Sequence, residues 1–167
     1  MLVKLCIDEF KPSLLSFIGK FTNLQELVLS YCYGDIDEVF KTLQYVNLPR
    51  LQILNFKYGK HPRFELLTKF LDNNGKKLKE LHINSNYVGN DNKLLNSVIA
   101  KFYPNLRRLS IKNDEFSTLK NLFYKSQYLE SIRVWSHDEY LDTKKLFEIL
   151  TKYSPKNFHE LKLYLSN

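Results

Sequence analysis

Four histidines and two cysteines are the side chains best suited to metal binding or nucleophilic chemistry. No two histidines stand four residues apart, so the chain lacks the His-x-x-x-His spacing that puts two zinc ligands on one helical face. We therefore expect structural or solvent-exposed roles for all six, and no metal site. The six residues are His61, His82, His137, His159, Cys6 and Cys32.

Carboxylate pairs and glycines offer no catalytic pattern either. The acidic pairs Asp37-Glu38 and Asp138-Glu139 are expected in loops or first helical turns, where acids cap helices and favour the helix dipole. The five glycines are scattered, and none belongs to a G-x-x-x-x-G-K phosphate loop. The sequence therefore predicts a protein that is not an enzyme and that binds no cofactor.

Composition predicts a folded intracellular protein. Hydrophobic residues make up 44% of the 167 and charged residues 26%, which is ordinary for a soluble domain. Two cysteines and the absence of a signal peptide or long apolar run indicate the cytoplasm or nucleus and no membrane partner. The net charge of +7 is dispersed, because residues 1–83 carry 12 basic and 9 acidic side chains and residues 84–167 carry 13 and 9. Such dispersal favours a solvated surface over a nucleic-acid patch.

A repeated frame organises the chain. The segment Leu78–Asn86 reads L-x-x-L-x-I-x-x-N, and Leu24–Cys32 has the same frame with cysteine in the asparagine position. The frame recurs with a mean step of 26 residues, within the range of about 20–29 for leucine-rich repeats. Its seven copies are Leu2/Leu5/Ile7, Leu24/Leu27/Leu29, Leu51/Leu54/Phe56, Leu78/Leu81/Ile83, Leu106/Leu109/Ile111, Leu129/Ile132/Val134 and Phe158/Leu161/Leu163.

Between these segments the apolar spacing changes from two to three and four, which is typical of amphipathic helices. Asp142 is a candidate cap for the last helix, and Pro155 is expected to follow its end. The predicted stripes are Ile36/Val39/Phe40/Leu43, Phe64/Leu67/Phe70/Leu71, Leu94/Leu95/Val98/Ile99/Phe102, Leu119/Leu122/Phe123 and Leu146/Phe147/Leu150/Tyr153. We expect an α/β leucine-rich-repeat solenoid of about seven repeats, residues 1–167, with a curved parallel sheet and helices on the convex side.

Three phrases resemble the repeat regions of fungal F-box/leucine-rich-repeat proteins: Phe21-Thr-Asn-Leu-Gln-Glu-Leu, Tyr103-Pro-Asn-Leu-Arg-Arg-Leu and Tyr153-Ser-Pro-Lys-Asn-Phe-His-Glu-Leu. In that family an N-terminal F-box docks onto a cullin–RING ubiquitin ligase, and the repeats select the substrate. No F-box-like Leu-Pro-x-Glu opening precedes the first repeat, which begins at Leu2. The chain is therefore expected to be a fragment without terminal caps, or a product that has lost its ligase-docking half.

Strand side chains alternate, so the residues that flank each buried pair are expected on the concave face. Cys6 and His82 share one column of that face, but three strands apart, about 14 Å, which is too far for joint chemistry. Tryptophan, tyrosine and arginine, the residues typical of binding hot spots, gather on the later strands. The candidate partner-binding residues are Arg108, Lys112, Arg133, Trp135, Lys162 and Tyr164.

Trp135 is the only tryptophan, and two roles are open for it. It is either the anchor for an acidic partner segment or a residue that packs against a neighbouring strand's side chain or against a further repeat downstream. Three functions remain open for the chain: a substrate-selecting module of an F-box-type ligase receptor, a stand-alone inhibitor or scaffold, and a nucleic-acid binder. The last predicts steeply salt-dependent association.

Overall fold

The structure is a computed structural model that describes residues 2–8, 17–32, 36–59, 62–83, 99, 105–112, 117–136 and 142–165. The fold is α/β, and the expected class is confirmed at that level. The chain divides into two compact units, residues 1–88 and 89–167. Within each unit every strand pairs in parallel with the next strand along the chain.

The first unit contains four of the predicted strands. They are β1 (Lys4–Asp8), β2 (Glu26–Cys32), β3 (Ile53–Gly59) and β4 (Glu80–Ile83), paired in that order. Helix α1 (Ile36–Leu43) follows β2, and helix α2 (Phe64–Asn74) follows β3. Short 3-10 turns at Ile18–Lys20 and Gly75–Lys77 precede β2 and β4. The register places Leu27, Leu54 and Leu81 side by side, as the repeated frame predicts.

The second unit repeats the same plan. Strands β5 (Arg108–Lys112), β6 (Ser131–Ser136) and β7 (Glu160–Leu165) pair in order. Helix α3 (Ser117–Lys125) connects β5 to β6, and helix α4 (Thr143–Tyr153) connects β6 to β7. Of the stripe predicted between β4 and β5, only Ile99 lies within the described residues, and it is helical and fully buried.

Two backbone hydrogen-bond patterns recur at the start of the strands. At five repeats the first residue of the frame donates its N–H to the carbonyl three residues earlier, at 2.9 to 3.1 Å: Leu24, Leu51, Leu78, Leu129 and Phe158. In addition, one carbonyl in each of five repeats accepts two successive N–H groups of the next repeat, at 2.8 to 3.2 Å: Val3, Gln25, Gln52, Arg107 and Glu130. The sequence frame thus corresponds to a repeated backbone geometry.

The frame positions form the core of each unit. The first positions of five copies are fully buried: Leu24, Leu51, Leu78, Leu106 and Leu129. On the outermost strands the frame residues are only half-buried, namely Leu5 and Ile7 on β1 and Leu161 and Leu163 on β7. Among the described strands, β1 pairs only with β2 and β7 only with β6, so these side chains have a strand neighbour on one side.

Helix α4 begins and ends as predicted, but its buried face is rotated. The Asp142 side chain accepts a hydrogen bond from the Lys145 N–H at 2.9 Å, and the helix ends at Tyr153. Phe147, expected in the core, is 57% exposed, whereas Ile149 is buried with Leu146. The correct stripe runs through positions 146, 149, 150 and 153, because Phe147 lies about 100° around the helix from Leu146.

A buried asparagine that no repeat pattern indicates ties α2 to the segment after α1. Asn74 is 4% exposed. Its Oδ1 accepts from the Leu48 N–H at 2.5 Å, and its Nδ2 donates to the Val46 and Phe70 carbonyls at 2.9 and 3.0 Å. One side chain therefore satisfies backbone groups of two neighbouring repeats.

Replacing Asn74 by alanine is expected to lower the free energy of unfolding by about 1–3 kcal/mol, because it leaves the buried Leu48 N–H without its partner. The measurement is urea unfolding followed by circular dichroism. Asn73→Ala is the matched control, since Asn73 is exposed and its side chain donates to the Gln44 carbonyl. Equal losses for the two variants would contradict the role assigned to Asn74.

Candidate functional site

The six candidate residues all lie on the strands of the second unit, in three rows set by the register. The strand alternation puts residues two apart on the same face. The rows across β5, β6 and β7 are Arg108/Ser131/Glu160, Ser110/Arg133/Lys162 and Lys112/Trp135/Tyr164. We call the part formed by Ser131, Arg133, Trp135, Glu160, Lys162 and Tyr164 the β6–β7 face.

The structure brings Trp135 and Tyr164 together. Their ring centroids are 4.7 Å apart, and their planes differ by 7°, which is a parallel stack. Tyr164 is 43% exposed and Trp135 is half-buried, so the stack packs across two strands and still presents surface. The two roles left open for Trp135 are thus compatible: it packs against a neighbouring strand and it remains accessible.

The basic candidates differ in the exposure of their side chains. Lys162 and Arg108 are exposed and Arg133 is half-buried, with Arg133 directly opposite Lys162 in the register. The backbone of Lys112 lies opposite Trp135, and its side chain is outside the described residues. The β6–β7 face therefore combines one aromatic stack with two adjacent cationic side chains.

An acidic residue, Glu160, lies among these cations. One carboxylate oxygen accepts from the Ser131 hydroxyl at 2.5 Å, and the other lies 2.7 Å from the Lys162 ammonium. The Lys162 ammonium and then the Ser131 hydroxyl are the main causes that hold the pKa of Glu160 at about 2, below its ordinary value of 4.5. The charge of Arg133 acts in the same direction. Glu160 is therefore ionised throughout the physiological pH range.

The carboxyl of Glu160 is expected to titrate with a midpoint near pH 2 in side-chain NMR. Because its pKa is lower in the folded state, its contribution to stability is complete above pH 4.5 and is lost as the pH falls from 4.5 towards 2. Lys162→Met should raise the midpoint towards 4.5, since Lys162 is the largest cause. Lys152→Met on α4 is the control and should leave it unchanged. An unchanged midpoint in Lys162→Met would contradict the assignment.

Some of the side chains that flank the core positions are too buried to contact a partner. Four small side chains that alternation places between the core positions are buried: Val28 at 1%, Ser30 at 5%, Ser110 at 1% and Ser131 at 4% exposure. Such side chains extend only a short way from the sheet, so longer neighbours such as Arg133 and Glu160 can cover them. The accessible part of the face is therefore smaller than the alternation of residues predicts.

On the corresponding positions of the first unit, two contacts join an acidic side chain to a basic side chain or an imidazole. Lys4 contacts Glu26 at 2.7 Å across β1 and β2, and His82 Nε2 lies 3.2 Å from a Glu80 carboxylate oxygen. The register confirms that Cys6 and His82 are three strands apart. The histidines at 61 and 137 lie outside the described residues.

In the part of the chain that the structure describes, no three histidine, cysteine, aspartate or glutamate side chains are grouped so that they could hold a metal ion. Among the same residues, no helix is both long and apolar enough to cross a bilayer.

Sequence reasoning missed two members of the site, Ser131 and Glu160, because it selected basic and aromatic residues. The stack between Trp135 and Tyr164 could have been found, since the two residues occupy the same frame position in adjacent repeats. The Glu160 contacts have a weaker signal, a glutamate two residues before a lysine on one strand. No protein-family model matches this chain, and no curated protein matches it.

Proposed function

We propose that this chain is a non-catalytic protein-binding module, a leucine-rich-repeat solenoid that contacts an acidic partner segment through the later strands. The observation that carries the binding proposal is the partly exposed Trp135–Tyr164 stack beside Arg133 and Lys162. Tryptophan, tyrosine and arginine dominate the energetics of protein interfaces, because they bury large areas and make directed polar contacts. Trp135 is the anchor, and Arg133 contacts the acid.

The recurrence of strand-start hydrogen bonds supports the solenoid part of the proposal. The same turn precedes five strands, and the same doubly accepting carbonyl links successive repeats within each unit. Stacked repeats bury a core together, since no single repeat can bury its apolar face alone. The concave face of the solenoid is the binding surface.

The ligase part of the proposal rests on sequence resemblance. The phrases that begin at Phe21, Tyr103 and Tyr153 resemble the repeats of fungal F-box/leucine-rich-repeat proteins. On this proposal the chain selects substrates for a cullin–RING ligase, to which an F-box in the same gene product docks it. Reading the genomic sequence upstream of Met1 tests this. An F-box in frame supports it, and its absence from the native transcript favours a stand-alone inhibitor or scaffold.

Selection of peptides from a displayed library on the immobilised chain tests the binding proposal. We expect enrichment of peptides that carry an acidic residue near an aromatic or aliphatic one, because these complement Arg133, Lys162 and the aromatic stack. The Trp135→Ala/Arg133→Ala double variant should enrich no such peptides. Tyr124→Ala is the control, since Tyr124 is a 73%-exposed aromatic on α3. Identical enrichment on the double variant with an intact fold would contradict the proposal.

A further inference from the structure

The side chains of the β6–β7 face suit two kinds of partner. Arginine, lysine and stacked aromatic rings on a sheet are found at protein hot spots and on platforms that bind single-stranded nucleic acid. The two differ in charge density, because a nucleic acid strand carries a negative charge at every nucleotide. The feature that separates the two is the fixed negative charge of Glu160 in the first row of the face.

Glu160 is held where it is by two contacts. It lies next to Ser131 in the register, and the Ser131 hydroxyl donates to one of its carboxylate oxygens at 2.5 Å. Lys162, two residues along the same strand, contacts the other oxygen at 2.7 Å. The Glu160 carboxylate therefore occupies the Lys162 ammonium, which a phosphate would otherwise contact. It also interacts electrostatically with Arg133 and lowers the positive potential there.

We propose that Glu160 is a specificity-determining residue that excludes polyanionic strands from the β6–β7 face and restricts it to protein segments with one acidic side chain beside an aromatic or apolar one. This inference rests on the proposed protein-binding function. Glu160 is the group on the binding surface that repels polyanions. Discrimination between partners commonly needs a group that penalises the wrong one as well as groups that attract the right one. A protein segment can place its single carboxylate against Arg133 and neutral atoms opposite Glu160. A polyanion has no neutral stretch to place there.

The test measures binding of a fluorescein-labelled oligouridylate to the whole chain by fluorescence anisotropy over a range of salt concentrations. The variants are Glu160→Gln and, as the matched control, Glu148→Gln, which removes the same charge from the exposed face of α4. The glutamine retains an oxygen that accepts from Ser131 but releases Lys162. We expect Glu160→Gln to bind about tenfold more tightly than the wild-type chain at ~50 mM salt. The slope of log K against log salt should steepen by about 0.7 for the released cation.

The Glu148→Gln control should bind the oligouridylate as weakly as the wild-type chain. Adding Trp135→Ala to Glu160→Gln should remove the gain, because the stack is then lost. A peptide from the library selection should gain less from Glu160→Gln than the oligouridylate does. Equal oligouridylate affinity in Glu160→Gln and Glu148→Gln, whether raised or not, would overturn the inference, and so would an equal gain for peptide and oligouridylate.

The outcomes distinguish this inference from the proposed function. If the two glutamine variants behave alike while the wild-type chain still binds selected peptides, only the role of Glu160 is refuted. If the wild-type chain already binds oligouridylate at ~150 mM salt and Trp135→Ala abolishes that binding, both proposals are refuted, because the face is then a nucleic-acid platform.

Discussion

Replacing Phe70 by alanine is expected to lower the free energy of unfolding by about 3–5 kcal/mol. Phe70 on α2 is fully buried, and its ring meets Phe40 of α1 edge-on, with centroids 5.5 Å apart. Phe40 in turn lies 5.7 Å from Phe56 of β3, so three rings join two helices to the sheet. The substitution opens a cavity between neighbouring repeats and removes the edge-to-face contact as well.

The measurement is urea unfolding monitored by far-ultraviolet circular dichroism. Phe147→Ala is the matched control, because it makes the same chemical change at a 57%-exposed position, and we expect it to cost less than about 0.5 kcal/mol. Phe70→Leu should recover part of the loss, since leucine refills most of the volume. A loss below about 1 kcal/mol for Phe70→Ala would mean that the ring cluster contributes little to the core.

Replacing Trp135 by alanine is expected to weaken binding of a selected acidic peptide roughly 30-fold or more, which corresponds to about 2 kcal/mol for a hot-spot residue. The substitution removes the larger ring of the stack and exposes one face of Tyr164 to water. Isothermal titration calorimetry on the whole chain measures the dissociation constant.

Three comparisons make the Trp135 result specific. Trp135→Phe keeps an aromatic ring opposite Tyr164 and should lose less affinity than Trp135→Ala. Tyr124→Ala removes an exposed aromatic from α3 and should leave the dissociation constant unchanged. The melting temperature of each variant shows whether the fold survives. Wild-type affinity in a folded Trp135→Ala chain would exclude Trp135 as the anchor.

The repeated frame predicted the strands well, because each strand depends on residues that recur at fixed positions. Leu27, Leu54 and Leu81 were expected on adjacent strands, and the register places them in one row. The caps of α4 were predictable for a similar reason. Asp142 and Pro155 act through the backbone next to them, so their effect does not depend on the rest of the fold.

Contacts that join different repeats were not predictable in the same way. Asn74 lies 26 residues from Leu48, and nothing in its neighbourhood distinguishes it from Asn73, which is exposed. Glu160 was passed over because only basic and aromatic residues were selected, and its partner Ser131 lies 29 residues away, on the adjacent strand β6. The orientation of α4 was misjudged because Leu146, Phe147, Ile149 and Leu150 are all apolar, and only packing against the sheet decides which of them is buried.

The carbonyls that accept two N–H groups determine where the chain can tolerate insertions and deletions. The strand of the next repeat starts where two of its N–H groups donate to one such carbonyl, that of Val3, Gln25, Gln52, Arg107 or Glu130. Added or deleted residues are therefore accommodated downstream, between the end of one strand and the next anchoring carbonyl. Steps as different as 22 and 29 residues can then coexist without shifting the side-chain rows. Engineered insertions and deletions should therefore be placed in these segments, where they leave the register of the strands unchanged.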